Sequence, residues 1–242
     1  MLPNELWKWI FTFCTTLELR HARYVCTAWE RLIPFEWTIE RVFLSEKETS
    51  DPANFLTDQA RFRFVETVLG MYFQQQKSLD FVPQLTRVRD VHLLYLAQIE
   101  RVSFPAEMNA IQDIMITCAF QVHTLILPCT WTRLSSLFLS GLNLSSFELD
   151  PAWTRLRDIS LLNIGTVAQL IVPATYTRLE FLHVERLQLT RLRLEMNPRS
   201  LLVRIQELHQ VIVESREAPN ETASFLMYTR APIVWEPIVT EA

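Results

Sequence analysis

The chain has 242 residues, of which 49% are hydrophobic and 21% charged, and only three are glycine: Gly70, Gly141 and Gly165. Because phosphate-binding loops need closely spaced glycines, this composition excludes the P-loop and dinucleotide-binding classes of enzyme. The formal net charge of −4 provides no basic surface, so we expect no nucleic-acid partner.

Residues 2–33 predict a group of short helices. Pro3 suits the first turn of a helix, and Leu6, Ile10 and Phe13 follow at helical spacing. A second helical stretch begins near Leu17. Its apolar residues are predicted to share one side: Leu19, Ala22, Val25, Cys26 and Trp29.

The order and spacing of these residues resemble an F-box. The resemblance covers about 40 of the 242 residues and rests on Leu2-Pro3, Glu5-Leu6, Ile10-Phe11, Glu18-Leu19, Val25-Cys26 and Trp29. The sequence departs from the family pattern at Cys14, where leucine is usual, and at Glu18, where aspartate is usual.

The resemblance implies a partner. F-box helices dock on the Skp-family adaptor protein of a cullin–RING ubiquitin ligase, largely through apolar side chains, so it implies binding to this adaptor and, through it, to a cullin. The implied contact residues are Leu2, Pro3, Leu6, Ile10, Val25 and Trp29. For Cys26 and Trp29, internal packing is an equal alternative.

A helix is predicted between this motif and the rest of the chain. After Asp51-Pro52, apolar residues recur at spacings compatible with a helix: Phe55, Phe62, Val65, Val68, Leu69 and Tyr72. We expect this helix to link the F-box to the following domain.

A repeat with a period near 23 residues follows. Its markers are four Thr-Arg dipeptides, at Thr86, Thr132, Thr154 and Thr177, with a missing member near Asn109. A proline column and an aromatic column share this register: Pro105, Pro128, Pro151 and Pro173, then Trp131, Trp153 and Tyr176 with Met108 in phase. Each unit contains an L-x-x-L-x-L strand and a second extended piece that ends at its proline, and such units must stack to bury their apolar faces.

The units resemble degenerate leucine-rich repeats, although the asparagine usual after the first strand is missing. A β-solenoid with two strands in each coil is the alternative. The predicted fold class is α+β, with a three-helix F-box (1–45), a linker helix and N-terminal cap (46–85), a leucine-rich-repeat-like solenoid of about five coils (86–199) and a C-terminal cap and tail (200–242). Residues 201–211 fit a sixth, atypical coil or a terminal helix, and 218–242 fit a docked hairpin or a loose tail.

One outward-facing column of the repeat is the predicted target-binding surface. In an L-x-x-L-x-L strand, the residue between the last two apolar positions points outward. That column contains His92, Met115, Phe138, Ser160 and His183. The outward column before it contains Asp90, Asp113, Ser136, Asp158 and Phe181. Met115 and Phe138 favour binding over ordinary surface variation, since exposed apolar groups in contact form partner patches.

Signals of catalysis, metal binding and membrane insertion are missing. The five histidines form no His-x-x-x-His pair and the four cysteines no Cys-x-x-Cys pair, so we expect no metal, no cofactor and no enzyme active site. No stretch reads as a membrane span or a signal peptide. We therefore expect a protein of the cytoplasm or nucleus with reduced thiols.

The sequence as a whole predicts a non-catalytic substrate-recognition adaptor of an SCF-type (Skp–cullin–F-box) ubiquitin ligase, acting in ubiquitin-dependent degradation. The F-box would hold the Skp-family adaptor, and the repeats would hold a protein target. The alternative is an interaction scaffold that uses the repeat surface and joins no ligase. A viral or bacterial mimic that recruits a host ligase fits the same sequence.

Overall fold

A computed structural model of the chain describes residues 4–11, 14, 16–33, 41–44, 65–73, 76–187, 189–195, 202–206, 211–215, 225–228 and 233–237. Two of the predicted adaptor-contact residues, Leu2 and Pro3, lie outside the described residues, as does the 51–64 part of the predicted linker helix.

Three short helices stand at the N-terminal side: α1 (Asn4–Phe11), α2 (Thr16–Arg23) and α3 (Thr27–Leu32). They share a small core formed by the buried side chains of Phe11, Leu19 and Ile33. The rings of Trp7 and Phe11 pack on Trp29, with centroids 4.8 Å and 5.4 Å from it. The membership of these helices in the F-box family stays a prediction.

The second predicted helical stretch is interrupted. Tyr24 and Val25 form a turn in which their N–H groups donate to the carbonyls of His21 and Ala22, and α3 begins only after Cys26. Val25 and Cys26 are consequently exposed. The prediction that they share one apolar side with Leu19 was wrong, because the turn changes the direction of the chain.

The rest of the described chain is a β-solenoid of parallel strands. The strands are β1 (Arg41–Leu44), β2 (Thr67–Met71), β3 (Ser78–Asp80), β4 (Asp90–Leu94), β5 (Arg101–Ser103), β6 (Asp113–Thr117), β7 (Thr124–Ile126), β8 (Ser136–Ser140), β9 (Asp158–Leu162), β10 (Gln169–Val172), β11 (Phe181–Glu185), β12 (Arg191–Leu194), β13 (Leu202–Gln206), β14 (Val211–Ser215), β15 (Phe225–Tyr228) and β16 (Ile233–Pro237). A first sheet has the order β1-β2-β4-β6-β8-β9-β11-β13-β15. Two shorter sheets, β3-β5-β7 and β10-β12-β14-β16, form the other side of the coils.

The predicted repeat is confirmed as a β-solenoid. Its five units supply the consecutive first-sheet strands β4, β6, β8, β9 and β11, which pair in parallel register. Residues 86–187 and 189–195 contain no helix, and four of the five coils follow the two-strand alternative, the third contributing β8 alone.

Alternating burial explains why these segments are strands. In every first-sheet strand from β2 to β11, buried residues alternate with half-buried or exposed ones, as the period of two in a strand requires. The buried positions of the five repeat strands are all aliphatic: Val91, Leu93, Ile114, Ile116, Leu137, Leu139, Ile159, Leu161, Leu182 and Val184. Full burial of such a side chain stabilises the fold by about 1.5–3 kcal/mol.

The aromatic column of the repeat lies inside the solenoid. Met108, Trp131, Trp153 and Tyr176 are at most 1% exposed. The Trp153 indole N–H donates to the Pro128 carbonyl at 3.0 Å, and the Tyr176 hydroxyl donates to the Asp150 carbonyl at 2.8 Å. All four side chains fill the core of their coils, and Trp153 and Tyr176 also hydrogen-bond to the preceding coil.

The solenoid extends past both predicted boundaries. The helix predicted to reach Tyr72 is wrong at residues 67–71, which form β2 and pair with β4. The apolar residues Val68 and Leu69 fit the period of a helix and that of a strand equally, and pairing with β4 selects the strand. Beyond residue 199, β13 to β16 pair with β11, β12, β13 and β14 in turn. The sixth coil is therefore confirmed over the terminal helix, and the parallel pairing of β15 and β16 with earlier strands excludes a hairpin between them.

Candidate interaction surfaces

The predicted adaptor-contact residues on the helices differ in exposure. Leu6 on α1 is 45% exposed and Val25, after α2, is 64% exposed. Ile10 is half-buried. Trp29 is also half-buried and packs on Trp7 and Phe11. Leu6 and Val25 thus present apolar surface to solvent, while Trp29 contributes to the packing between the helices.

The predicted target-binding residues form one row on the outer face of the first sheet. The strand register places His92, Met115, Phe138, Ser160 and His183 side by side on β4, β6, β8, β9 and β11. All five are half-buried, because each side chain packs between its neighbours on adjacent strands. Binding of a target by this row stays a prediction.

An acidic pair lies beside this row. Asp90 and Asp113 are register partners on β4 and β6. Burial raises the pKa of the Asp113 carboxyl, and the charge of Asp90 and a hydrogen bond to it raise that pKa further. A hydrogen bond from Ser136 and the nearby His92 act in the opposite direction. The fold therefore holds the carboxyl groups of Asp90 and Asp113 closer together than the unfolded chain does.

Replacing Asp113 with asparagine should stabilise the protein at pH 7. Like charges directly opposite each other on neighbouring strands are unfavourable, so we expect Asp113→Asn to raise the free energy of unfolding by about 0.2–1 kcal/mol. The pKa of Asp113 is raised in the folded state above its ordinary 3.8. Below pH 3.8 the Asp113 carboxyl is protonated in both the folded and the unfolded protein, so the gain in stability from the substitution disappears. This gain grows as the pH rises through the pKa that Asp113 has in the folded protein.

Urea unfolding midpoints at pH 7 and near pH 3 measure this effect. Asp158 is the matched control, because it occupies the same column but pairs with Ser136 and Phe181, neither of which is acidic. Asp158→Asn should change stability by less than about 0.5 kcal/mol. An Asp113→Asn variant less stable than wild type at pH 7 would contradict the repulsion.

A groove lies where the other side of the solenoid is interrupted. The third coil contributes β8 to the first sheet, but its residues 145–150 form no strand. Instead, Leu144 forms an isolated bridge with Gly165, and the segment that follows belongs to none of the sheets. Strand β7 therefore ends one short sheet and β10 begins the next. The second extended piece predicted for this unit, around Phe147 and Leu149, is not part of a strand.

The groove encloses a cavity of about 570 Å³, within the size range of ligand pockets in proteins. Its lining is partly apolar, with Phe147, Ile171 and Pro173 among others, and includes two carboxylates, Glu148 and Glu195. Among the residues that the structure describes, no lysine or arginine lines it. Glu195 pairs with Arg193 at 3.2 Å, whereas Glu148 is exposed and has no ion pair among the residues that the structure describes.

The sequence did not predict this groove, although it carries a weak signal. From Thr132 to Thr154 the repeat spacing is 22 residues instead of 23, and the polar pair Ser145-Ser146 stands before the second apolar piece. An irregular unit in an otherwise regular solenoid is a natural place for a binding surface. Whether a shortened unit pairs or leaves the sheet depends on main-chain hydrogen bonds, which side-chain patterns do not specify.

Among the described residues, no group of three or more His, Cys, Asp or Glu side chains is placed to hold a metal ion. His92 and His183 lie four strands apart in one sheet, about 19 Å at the usual strand spacing, too far to share a metal. No helix in the described part of the chain is long and apolar enough to cross a membrane.

Comparison with known proteins found no protein-family model and no curated protein that matches the chain.

Proposed function

We propose that the protein is a substrate-recognition adaptor of an SCF-type ubiquitin ligase, acting in the cytoplasm or nucleus. The N-terminal helices bind a Skp-family adaptor, and the solenoid binds a protein target. The observation that supports this function best is the exposure of Leu6 and Val25, two apolar residues at positions where the resemblance to an F-box implies adaptor contact.

The packing of the helices is compatible with such docking. Phe11, Leu19 and Ile33 are buried within the helical group, so its internal core does not use Leu6 or Val25. Exposed apolar side chains beside a packed core can insert into a partner's groove, and a few such anchors supply most of the affinity of an interface.

The mechanism is proximity. An adaptor that holds a target beside a charged ubiquitin carrier raises the effective concentration of the target's lysines at the reacting thioester. The adaptor itself makes and breaks no bond, so the protein is a non-catalytic subunit and needs no cofactor.

Charge insertion at the two exposed apolar residues tests the proposal. The double variant Leu6→Arg, Val25→Arg should bind a purified Skp-family adaptor at least about 30-fold more weakly than wild type, the effect of losing about 2 kcal/mol of interface energy. Isothermal titration with the purified adaptor measures this, and co-purification of a cullin from cells shows whether the assembly forms.

The control inserts the same charge elsewhere. Phe120 in the solenoid is also an exposed apolar residue, at 60%, and Phe120→Arg should leave adaptor binding unchanged. If the wild-type chain binds no Skp-family adaptor, or if the double variant binds as tightly as wild type, the ligase function is wrong. A scaffold that joins no ligase then becomes the better interpretation of the solenoid.

A further inference from the structure

We propose that the groove of the third coil binds an extended peptide segment of another protein, which adds a strand to the edge of β10 and carries lysine or arginine beside an apolar residue. This inference goes beyond the ligase function, because it depends only on the groove and holds whether or not the helices bind a Skp-family adaptor.

The first support is the free edge of β10. Its one described strand neighbour is β12. The carbonyls of Ala168 and Val172 accept hydrogen bonds from residues 190, 191 and 195 on that side. Since the main-chain groups of successive residues in a strand face opposite sides, those of Gln169 and Ile171 face the groove. A strand edge with unpaired N–H and C=O groups is a template for another strand.

The second support is that the neighbouring segment does not use this edge. Residues 145–149 lie next to β10 in the order of coils, yet no main-chain hydrogen bond joins them to Gln169 or Ile171 in the described structure. Both Gln169 and Ile171 line the cavity. An incoming peptide can therefore reach the free edge from the cavity.

The third support is the chemistry of the lining, which specifies the peptide. Ile171 is 40% exposed and, with Phe147 and Val167, provides an apolar surface for one face of the added strand. Within the described part of the chain, Glu148 is an exposed carboxylate without an ion pair, and no basic side chain lines the cavity. A peptide with alternating apolar and basic residues matches both properties, since alternate side chains of a strand face opposite sides.

Peptide pools test the proposal on the full chain. One pool contains peptides of about six residues in which valine, isoleucine or leucine alternates with lysine or arginine; the second replaces the basic residues with aspartate or glutamate. By fluorescence anisotropy, the basic pool should bind at least about tenfold more tightly than the acidic pool, a difference of about 1.4 kcal/mol. N-methylation of alternate peptide nitrogens should abolish binding, because it removes the donors that pair with the strand edge.

A charge reversal in the groove has a matched control. Glu148→Lys should weaken binding of the basic pool about tenfold or more. Glu107→Lys reverses an exposed glutamate on a turn of another coil and should have no effect. Equal affinity for the two pools, equal effects of the two substitutions, or undiminished binding of the N-methylated peptides would each overturn the proposal.

Hydrogen exchange locates the bound strand. In the free chain the amides of Gln169 and Ile171 should exchange fast, while those of Leu170 and Val172, which face β12, are protected. The basic peptides should protect Gln169 and Ile171 selectively. Protection already present in the dilute free chain means that another segment of the chain covers the edge, and protection that grows with protein concentration means that a second copy covers it; either result contradicts the proposal.

Discussion

Gly165→Ala is expected to destabilise the protein by about 3 kcal/mol or more. Gly165 has φ +105°, a conformation that L-amino acids rarely adopt. A Cβ atom at this position would collide with the main-chain oxygen of Leu144 and lie 2.6 Å from its nitrogen. These atoms cannot move aside freely, because Leu144 donates to Ile164 at 2.9 Å and accepts from Thr166 at 3.1 Å. The main chain itself would have to shift.

Gly141→Ala is the matched control for this prediction. Gly141 also has a positive φ, +66°, but Tyr95 and Asn163 adopt nearly the same angle at the corresponding corners of other coils. A Cβ atom there would press on the ring of Phe120, which is 60% exposed and free to rotate away. Urea unfolding should show a loss below about 1 kcal/mol for Gly141→Ala. Similar losses for the two variants would show that Leu144 does not constrain Gly165.

These corners also show what composition leaves open. With only three glycines in the chain, the sequence predicts that coil corners turn with proline, asparagine, serine or threonine. The structure places one residue with positive φ directly after each of six first-sheet strands: Tyr72, Tyr95, Cys118, Gly141, Asn163 and Arg186. Of these, only Asn163 is of a predicted type. Tyrosine and cysteine are unusual in this conformation, so residue type does not predict the site of the turn. The periodic stacking of coils does, since each corner must match the one before it.

The solenoid core was predictable because its signal repeats. An aliphatic pair such as Val91 and Leu93 is ambiguous alone, but the same pair recurs in five units at a spacing of 22 or 23, and only a stack of coils places all the pairs inside. The segment 67–71 belongs to the same stack, yet it lacks the Thr-Arg marker and its apolar spacing also fits a helix. Long-range pairing with β4 decided its structure, and local pattern contains no information on that pairing.

The candidate surfaces were predictable only in part. The row from His92 to His183 follows from strand alternation, which is a local rule. The groove depends instead on the failure of one segment to pair, and Glu148 and Ile171 matter only because they lie beside an unpaired edge. A side-chain column predicts where residues point; it does not predict which main-chain groups remain available.

Truncation of the buried tryptophans should have the second large effect on stability. Trp131 and Trp153 occupy the same position in successive coils and are at most 1% exposed. We expect Trp131→Ala and Trp153→Ala each to cost about 3–5 kcal/mol, because a cavity in a stacked core cannot collapse without separating neighbouring coils. Denaturant unfolding of both variants measures the loss.

Replacement of each tryptophan with phenylalanine separates packing from hydrogen bonding. The Trp153 indole N–H donates to Pro128, whereas the Trp131 indole nitrogen is buried without a hydrogen-bond partner among the described residues. The two substitutions remove the same volume, so their difference reports the hydrogen bond. We expect Trp153→Phe to cost about 0.5–1.5 kcal/mol more than Trp131→Phe, because it alone removes a hydrogen bond, while Trp131→Phe removes an unpaired donor. In both variants the Pro128 carbonyl keeps the main-chain N–H of residue 131 as a donor, at 3.4 Å. Equal losses would mean that the bond to Pro128 adds nothing to the stacking of the coils, and that the aromatic column stabilises the solenoid through packing alone.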